Sequence, residues 1–341
     1  MSDAVQKILK AYHKKYFVKD LKGIGSRFEE LLKKRFEVNN LNDVTEPTKK
    51  MWLDFALSTV DRGTYVKNII SEYCKIKNKR YLDVGCGYGG FLLAFSRAGA
   101  SEAIGIDISS DLLGYCKALA DDSAHELKAY NKSIISKEDV ESLGKFDIIT
   151  CNDVIEHVES ANIAMSHLSS MLNNNGLLYL EIPNRFYPNF IKADGHFKLF
   201  GITLLPKWLA DKYFKNFFAS MENDVTYESL NRYMNRLINL GLNCSVINPL
   251  FDHKEVELEQ IRNGLADCKK EAIALSSEFP PAFRNAINTR VSKIVTSFDK
   301  KYELYHGLKK TKPEDAQQIA DRLILTFGVD FWRIIAWKKG F

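Results

Sequence analysis

An apolar strand that runs into four glycines and out into a helix constrains this chain more than any other stretch. Residues 80–90 read Arg-Tyr-Leu-Asp-Val-Gly-Cys-Gly-Tyr-Gly-Gly, and Phe91-Leu-Leu-Ala-Phe-Ser-Arg follows. A strand, a glycine turn and a helix in that order open the nucleotide-sized site of a doubly wound α/β sheet. Glycine suits the turn because it takes positive φ and lets a ligand touch bare backbone.

The pattern alternates from there. Strands are expected at 80–85, 103–108, 127–130, 146–151 and 177–182, with helices near 89–98, 111–120, after Ser136, and at 161–172. Asn173-Asn-Asn-Gly reads as a turn. Strands alternating with helices at this spacing imply a parallel sheet. Later come a helix over 227–240, a strand over 244–248 and a last strand over 331–337. The roughly eighty residues between those two strands must carry structure of their own.

Residues 1–79 read as a helical cap or appendage. Val5, Ile8, Leu9 and Tyr12 have helical spacing, as do Phe28, Leu31, Leu32 and Phe36, and a further helix is expected over 51–74. The net charge is +5, and residues 1–50 alone hold 12 Lys and Arg against 7 Asp and Glu. The remainder is near neutral, so DNA is not an expected partner, although a basic N-terminal arm remains open. The six cysteines include no Cys-x-x-Cys pair, which argues against a thiolate zinc site and fits a reducing compartment. Lys7, Lys10, Lys14 and Lys15 interrupt any signal-type apolar stretch, and no window offers ~18 uncharged apolar residues. A cytoplasmic protein is expected.

Gly85, Gly87 and Gly90 satisfy Gly-x-Gly-x-x-Gly, and Asp107 ends the second strand 22 residues after Gly85. A dinucleotide dehydrogenase would show the same two features. Other strand ends tilt the reading: Asp83 precedes the first glycine, Asn152-Asp153 ends the fourth strand, and Glu181-Ile-Pro-Asn ends the fifth. Taken with Gly105-Ile-Asp-Ile-Ser and Phe146-Asp-Ile-Ile-Thr-Cys-Asn-Asp-Val-Ile-Glu-His-Val, these motifs resemble the class I S-adenosylmethionine-dependent methyltransferases over residues 80–250 and the last strand.

The resemblance implies a doubly wound seven-stranded sheet whose last strand is antiparallel. The N-terminal segment 1–79 and a helical insertion at 252–325 lie outside it, and residues 326–341 return to the sheet. It implies S-adenosylmethionine as cofactor. Gly85, Cys86 and Gly87 would pass its methionine part, and Asp83 would help hold the ammonium. Asp107 would accept from both ribose hydroxyls, Ile108 would pack on adenine, and Asn131 and Asn152 would line the site.

The chemistry signal is Asp153-Val-Ile-Glu-His. If a helical turn starts there, Asp153, Glu156 and His157 project from one face. Two carboxylates and an imidazole suit Mg²⁺ or another divalent cation, with His196 as a fourth ligand. The element resembles the Glu-x-x-Glu-His motif of the ubiquinone-biosynthesis O-methyltransferases and of small-RNA 2′-O-methyltransferases, with Asp153 one methylene shorter than Glu. Other class I members carry Glu-His without a metal, where the histidine acts as base. Either way His157, with Glu156, leads as the catalytic candidate.

Residues 184–225 are rich in aromatics and lysine and read as a lid over the acceptor. Within 197–215, Leu204, Leu205, Trp208 and Leu209 with Lys207 and Lys212 would also suit a membrane surface. The reading that results is O-methylation of a sugar, glycan or small-molecule hydroxyl. An RNA ribose methyltransferase, a dehydrogenase and a non-catalytic binding module stand as alternatives, RNA being disfavoured because no RNA-binding module is recognisable.

Overall fold

The computed structural model describes residues 24–248, 254–277 and 279–338. The helix expected over Val5 to Tyr12 and the basic residues before Gly23 lie outside the described residues. The five parallel strands are β1 (Arg80–Val84), β2 (Glu102–Asp107), β3 (Lys128–Asn131), β4 (Phe146–Asn152) and β5 (Leu172–Pro183). With β6 (Leu242–Val246) and β7 (Phe331–Lys338) they form one seven-stranded sheet in the order β3-β2-β1-β4-β5-β7-β6. β7 runs antiparallel to both β5 and β6. Strand order reverses between β1 and β4, and both point their carboxyl ends the same way. An open α/β sheet has its ligand crevice at such a point.

Alternation along the strands divides two cores. Leu82, Val84, Ile149 and Cys151 face α7 (Ala161–Met171) and α10 (Leu230–Asn239), where they pack with Met165, Leu168, Tyr233 and Leu237. Tyr81, Ile148 and Tyr179 face the other way. They meet α3 (Thr59–Ser71) and α4 (Gly90–Arg97) through Val66, Ile69, Phe91 and Phe95. Helix α3 thus supplies part of the sheet's own core, although it belongs to the segment expected to be an appendage.

The helix expected over 51–74 is two helices, α2 (Pro47–Leu57) and α3, separated at Ser58. The Ser58 hydroxyl donates to the Phe55 carbonyl at 3.1 Å, a local bond that competes with helix continuation. The break lets α3 lie against α4 with almost no separation. A Cβ on Gly63 would sit 2.4 Å from the Gly90 carbonyl oxygen. In an exposed helix Gly→Ala gains about 1 kcal/mol. Here the added methyl meets backbone, and overpacking of that kind costs about 1–3 kcal/mol or more. Gly63→Ala should therefore lower the unfolding free energy in a denaturant titration.

The turn expected at Asn173–Gly176 is drawn into β5. Leu172 pairs with Phe146 and Leu177 with Ile148, so the four residues 173–176 of β5 stand opposite Asp147 alone, as a bulge.

The N-terminal helix α1 (Ser26–Phe36) packs with α2 and α5 (Ser110–Ser123) around Phe28, Leu32, Leu53 and Tyr115, and this cluster includes Tyr88 of the glycine loop. Asp122 of α5 caps α1 by accepting from the Arg27 and Phe28 amides at 3.2 and 2.9 Å.

The remaining helices are α6 (Lys137–Leu143), α8 (Pro188–Lys192), α9 (Lys207–Lys215), α11 (Lys254–Ala274), α12 (Pro281–Leu308) and α13 (Pro313–Leu323). Helices α8, α9 and α11–α13 share a separate core built from Ile191, Tyr213, Phe214, Leu265, Ile287 and Phe298. Leu204 and Leu205, expected to offer a membrane face, are buried in that core, and only Trp208 of the set is strongly exposed, at 62%. Among the described residues no helix is long and apolar enough to cross a membrane.

Candidate functional site

The glycine loop begins where β1 ends. Gly85 has φ +74°, and a Cβ there would sit 2.2 Å from Val154 Cγ2. Gly87 has φ +47° and open space around its missing side chain, with no atom nearer than 3.9 Å. Gly87 thus leaves bare backbone with open space, while Gly85 makes room for Val154. Asp107 stabilises this loop: Gly87 N donates to Oδ2 at 2.9 Å and Ser109 N to Oδ1 at 2.8 Å. Each carboxylate oxygen keeps room for a further donor. Ile108 next to it is 77% exposed, an apolar side chain left without cover. Asn131 reaches back to donate to the Asp107 carbonyl at 3.1 Å. Asn152 Oδ1 is buried with no partner.

Cys86, just past the end of β1, is a small buried residue. Its thiol is buried in the cluster of Leu92 and Cys116, so only its backbone is left to the crevice.

Asp83 is buried and accepts from Thr150 Oγ1 at 2.7 Å, and Thr150 is bonded in turn to the Tyr81 hydroxyl at 2.6 Å. Burial pushes the Asp83 carboxyl up to about 7. Arg62 comes to the same place from α3. Its guanidinium carbon lies 3.5 Å from the Phe55 ring centroid, and its Nε is buried with no acceptor. Its charge acts on both Asp83 and Asp153. No motif marks Arg62, because α3 reaches the crevice only through packing.

The turn after β4 is not a helix. Asp153 sits in the left-handed region at φ +53°, and its amide donates to the Glu181 carbonyl at 3.1 Å. The His157 amide then donates to the Val154 carbonyl at 2.9 Å, closing a tight turn. Left-handed backbone at Asp153 breaks the common face, so Asp153 stands apart from the group it was expected to join. The groups that do meet are Glu156, His157 and His196, whose ligand atoms lie within 4.8 Å of one another. The two imidazoles are edge to face, with centroids 4.7 Å apart.

The two imidazoles are held from behind, and the Glu156 carboxylate is not. Glu156 is 0% exposed, and neither carboxylate oxygen has a partner. Burial pushes it well above the usual carboxylate range, and the neighbouring Asp153 charge adds to this. His157 Nδ1 lies 3.2 Å from Asp224 Oδ2. That bond holds Asp224 below the usual carboxylate range. His196 Nδ1 lies 2.8 Å from the Tyr227 hydroxyl, which also reaches Asp194 Oδ2 at 3.2 Å. Asp194 is fully buried and fixes the loop by accepting from the amides of His196, Phe197 and Leu199. Burial lowers His196 to about 4, with the His157 charge adding to it. Both rings are thus tied through Nδ1, which frees Nε2 for a ligand or a proton. Asp224, Tyr227 and Asp194 carry no sequence signal of their own beyond Asp194 preceding Gly195-His196.

The strand order, the antiparallel β7 and the crevice over the β1 and β4 ends define the class I, S-adenosylmethionine-dependent methyltransferase fold. Residues 61–236 match the model of the methyltransferase-domain family, more than half of the chain, and the chain belongs to that family. Among curated relatives it is similar to a ubiquinone biosynthesis O-methyltransferase of Bradyrhizobium diazoefficiens, 30% identical over 145 residues, 42% of this chain and 53% of that protein. The same name is carried by a relative from Rhodopseudomonas palustris, 29% identical over 55% of this chain and 69% of the other. The chain thus spans between about half and two thirds of these relatives' lengths. Among solved structures, the YcgJ protein of Bacillus subtilis is 16% identical, covering 82% of this chain and all of the other, with a TM-score of 0.44. Magnesium protoporphyrin IX methyltransferase of Synechocystis with bound SAH is 18% identical, covering 71% and 92%, with a TM-score of 0.41.

Proposed function

We propose that the chain transfers the methyl group of S-adenosylmethionine to a hydroxyl oxygen of a small-molecule or sugar acceptor. The observation that carries this is the buried, unpartnered Glu156 carboxylate beside two imidazoles whose outer nitrogens are already bonded. A hydroxyl needs its proton removed or its developing charge neutralised as the new C–O bond forms. His157 Nε2, with Asp224 holding Nδ1, is oriented to take that proton. The backbone left open at Gly87 and the orphaned Asn152 Oδ1 suit S-adenosylmethionine at the crevice. Asp107 would hold its ribose, Asp83 its ammonium and Arg62 its carboxylate. The relatives' printed name, an O-methyltransferase, is compatible with an oxygen acceptor.

The same three groups fit a divalent cation. One carboxylate and two imidazoles are an oxygen-and-nitrogen set of the kind such ions take, and Glu156 would lose its unpaired state. When bound, the ion would supply Lewis-acid stabilisation of the acceptor oxygen. Glu156, His157 and His196 would hold it, and Asp224 and Tyr227 would keep the rings in place.

Transfer of a labelled methyl group to a panel of hydroxyl acceptors, with and without chelator, tests both readings. Loss of turnover in chelator and recovery on adding Mg²⁺ or Mn²⁺ is the expected result if the ion acts. Unchanged turnover in chelator removes the ion and leaves His157 as base. His157→Ala should lower turnover by about 10²-fold or more while S-adenosylmethionine binding, followed by calorimetry, is retained. Equal loss of both would make His157 structural and overturn the assignment.

A further inference from the structure

Arg185 stands just beyond β5, two residues past Pro183, and its position is unusual for a cation. Its Nη1 donates to the Tyr227 carbonyl at 2.8 Å and its Nη2 to the Leu205 carbonyl at 3.5 Å. Its Nε is buried with no acceptor. Of five N–H donors, three are left without a bond. Among the described residues no carboxylate pairs with it. The Phe186 ring, 5.4 Å away, offers a cation–π contact and nothing more.

Burial disfavours the Arg185 cation, down to about 10; the nearby Arg232 and Arg290 disfavour it as well, while Tyr233 and Glu228 favour it. The acid that acts on it, Glu228, is already engaged: Arg232 and Arg236 both donate to its carboxylate, at 3.2 Å and 2.9 Å for Oε1. Two arginines therefore already share that carboxylate, and Arg185 has no bond to it. A half-buried cation with no carboxylate bonded to it is costly unless something else supplies the charge. Tyr227 ties this cluster to the acceptor side, since its carbonyl holds Arg185 while its hydroxyl holds His196.

We infer that Arg185, rimmed by Arg232 and Arg290, is the binding subsite for an oxyanion carried by the methyl acceptor, a phosphoryl group or a carboxylate. The planar guanidinium fork matches either group in a bidentate fashion, and Arg232, with its side chain 71% exposed, stands at the solvent side where a charged ligand would arrive. This deepens the methyl-transfer reading and rests on it for the acceptor, but anion binding itself does not depend on methyl transfer.

Calorimetric titration of the full chain with inorganic pyrophosphate and, separately, with acetate tests the subsite. At least one should bind, pyrophosphate alone pointing to a phosphoryl group and acetate to a carboxylate. Arg185→Gln should weaken that binding at least tenfold, and Arg185→Lys, which keeps the charge and loses the fork, should fall between. Binding of neither anion, or equal binding by Arg185→Gln, would overturn the inference. Because Arg185 also anchors two carbonyls, the double variant Arg232→Gln/Arg290→Gln serves if Arg185→Gln fails to fold. It should weaken pyrophosphate or acetate several-fold, and unchanged affinity would be equally fatal. S-adenosylmethionine titrated into the same samples separates the two ideas: failure there with anion binding intact sinks the donor reading only. Labelled methyl transfer to sugar phosphates and uronates should exceed transfer to the neutral sugars at least tenfold in kcat/KM. Equal transfer would remove the subsite from the acceptor.

Discussion

Glu156→Gln is expected to lower methyl transfer by about 10²-fold or more while making the chain, measured in chelator, more stable to denaturant. Glu156→Leu should go further in both directions. Glu156 is 0% exposed, and neither of its carboxylate oxygens meets a donor. Its main-chain carbonyl accepts from the Thr226 amide at 2.7 Å, a bond that survives any substitution. Holding Glu156 protonated in the fold, when the unfolded chain gives that proton up, costs stability at neutral pH, and a buried polar group without a partner costs about 1–3 kcal/mol more. Gln removes the first penalty and keeps part of the second. Leu removes both. The predicted order of stability is therefore Leu above Gln above the natural Glu.

That order separates a functional carboxylate from a structural one. Residues kept for chemistry are often ones the fold would be better without. S-adenosylmethionine affinity should change little, because the glycine loop, Asp107 and Asp83 do not contact Glu156 in the hydrogen-bond network. Chelator is needed in the stability measurement, since an ion bound only by the folded chain would raise the natural protein's midpoint by mass action. A Leu variant less stable than the natural chain would show that Glu156 has a structural partner, and its catalytic assignment would fall.

The donor side of this site was far more legible in the sequence than the acceptor side, and the reason is distance along the chain. Gly85 and Gly87 sit in the turn after β1 and Asp107 at the end of β2, and the roles proposed for them follow from backbone geometry that local sequence encodes. The parallel strands were legible for a similar reason, since apolar runs alternate with helical ones, whereas the antiparallel last strand followed only from the family resemblance. Arg62, Asp224, Tyr227 and Arg185 have no such frame. Each reaches the site through a tertiary contact, such as α3 lying against α4, or the 223–228 segment bonding to both Glu156 and His157. Asp153 misled for a local reason: a helical i, i+3, i+4 pattern was assumed where the backbone is left-handed. The stretch around Leu204 and Leu205 misled for a global one. An amphipathic pattern states that an apolar face will be covered, and only the helices of residues 254–323 decide that protein, not lipid, covers it.

Between about pH 4 and pH 7 Asp83 should take stability from the ligand-free chain as pH rises, and Asp83→Asn should remove that share. Asp83 titrates from an ordinary 3.8 up to about 7 because it is buried, with the Thr150 hydroxyl opposing the shift and the Asp107 charge adding to it. A folded-state carboxyl with a raised value keeps a proton that the unfolded chain gives up. Its contribution is therefore fully present below the unfolded value and is lost progressively up to the folded one. At 1.36 kcal/mol per unit the difference amounts to about 4 kcal/mol across that window. Asp153 shifts in the same direction, also by burial, so the Asp83 share is read as the difference between the two chains' slopes in denaturant titrations. S-adenosylmethionine should show the opposite trend. Its ammonium favours the ionised carboxylate, so affinity should rise about tenfold from pH 6 to pH 8 in the natural chain and stay level in Asp83→Asn. Identical pH profiles for the two chains would mean that Asp83 faces neither the low-dielectric interior nor the methionine ammonium, and that Thr150 holds it only as part of the β1–β4 packing.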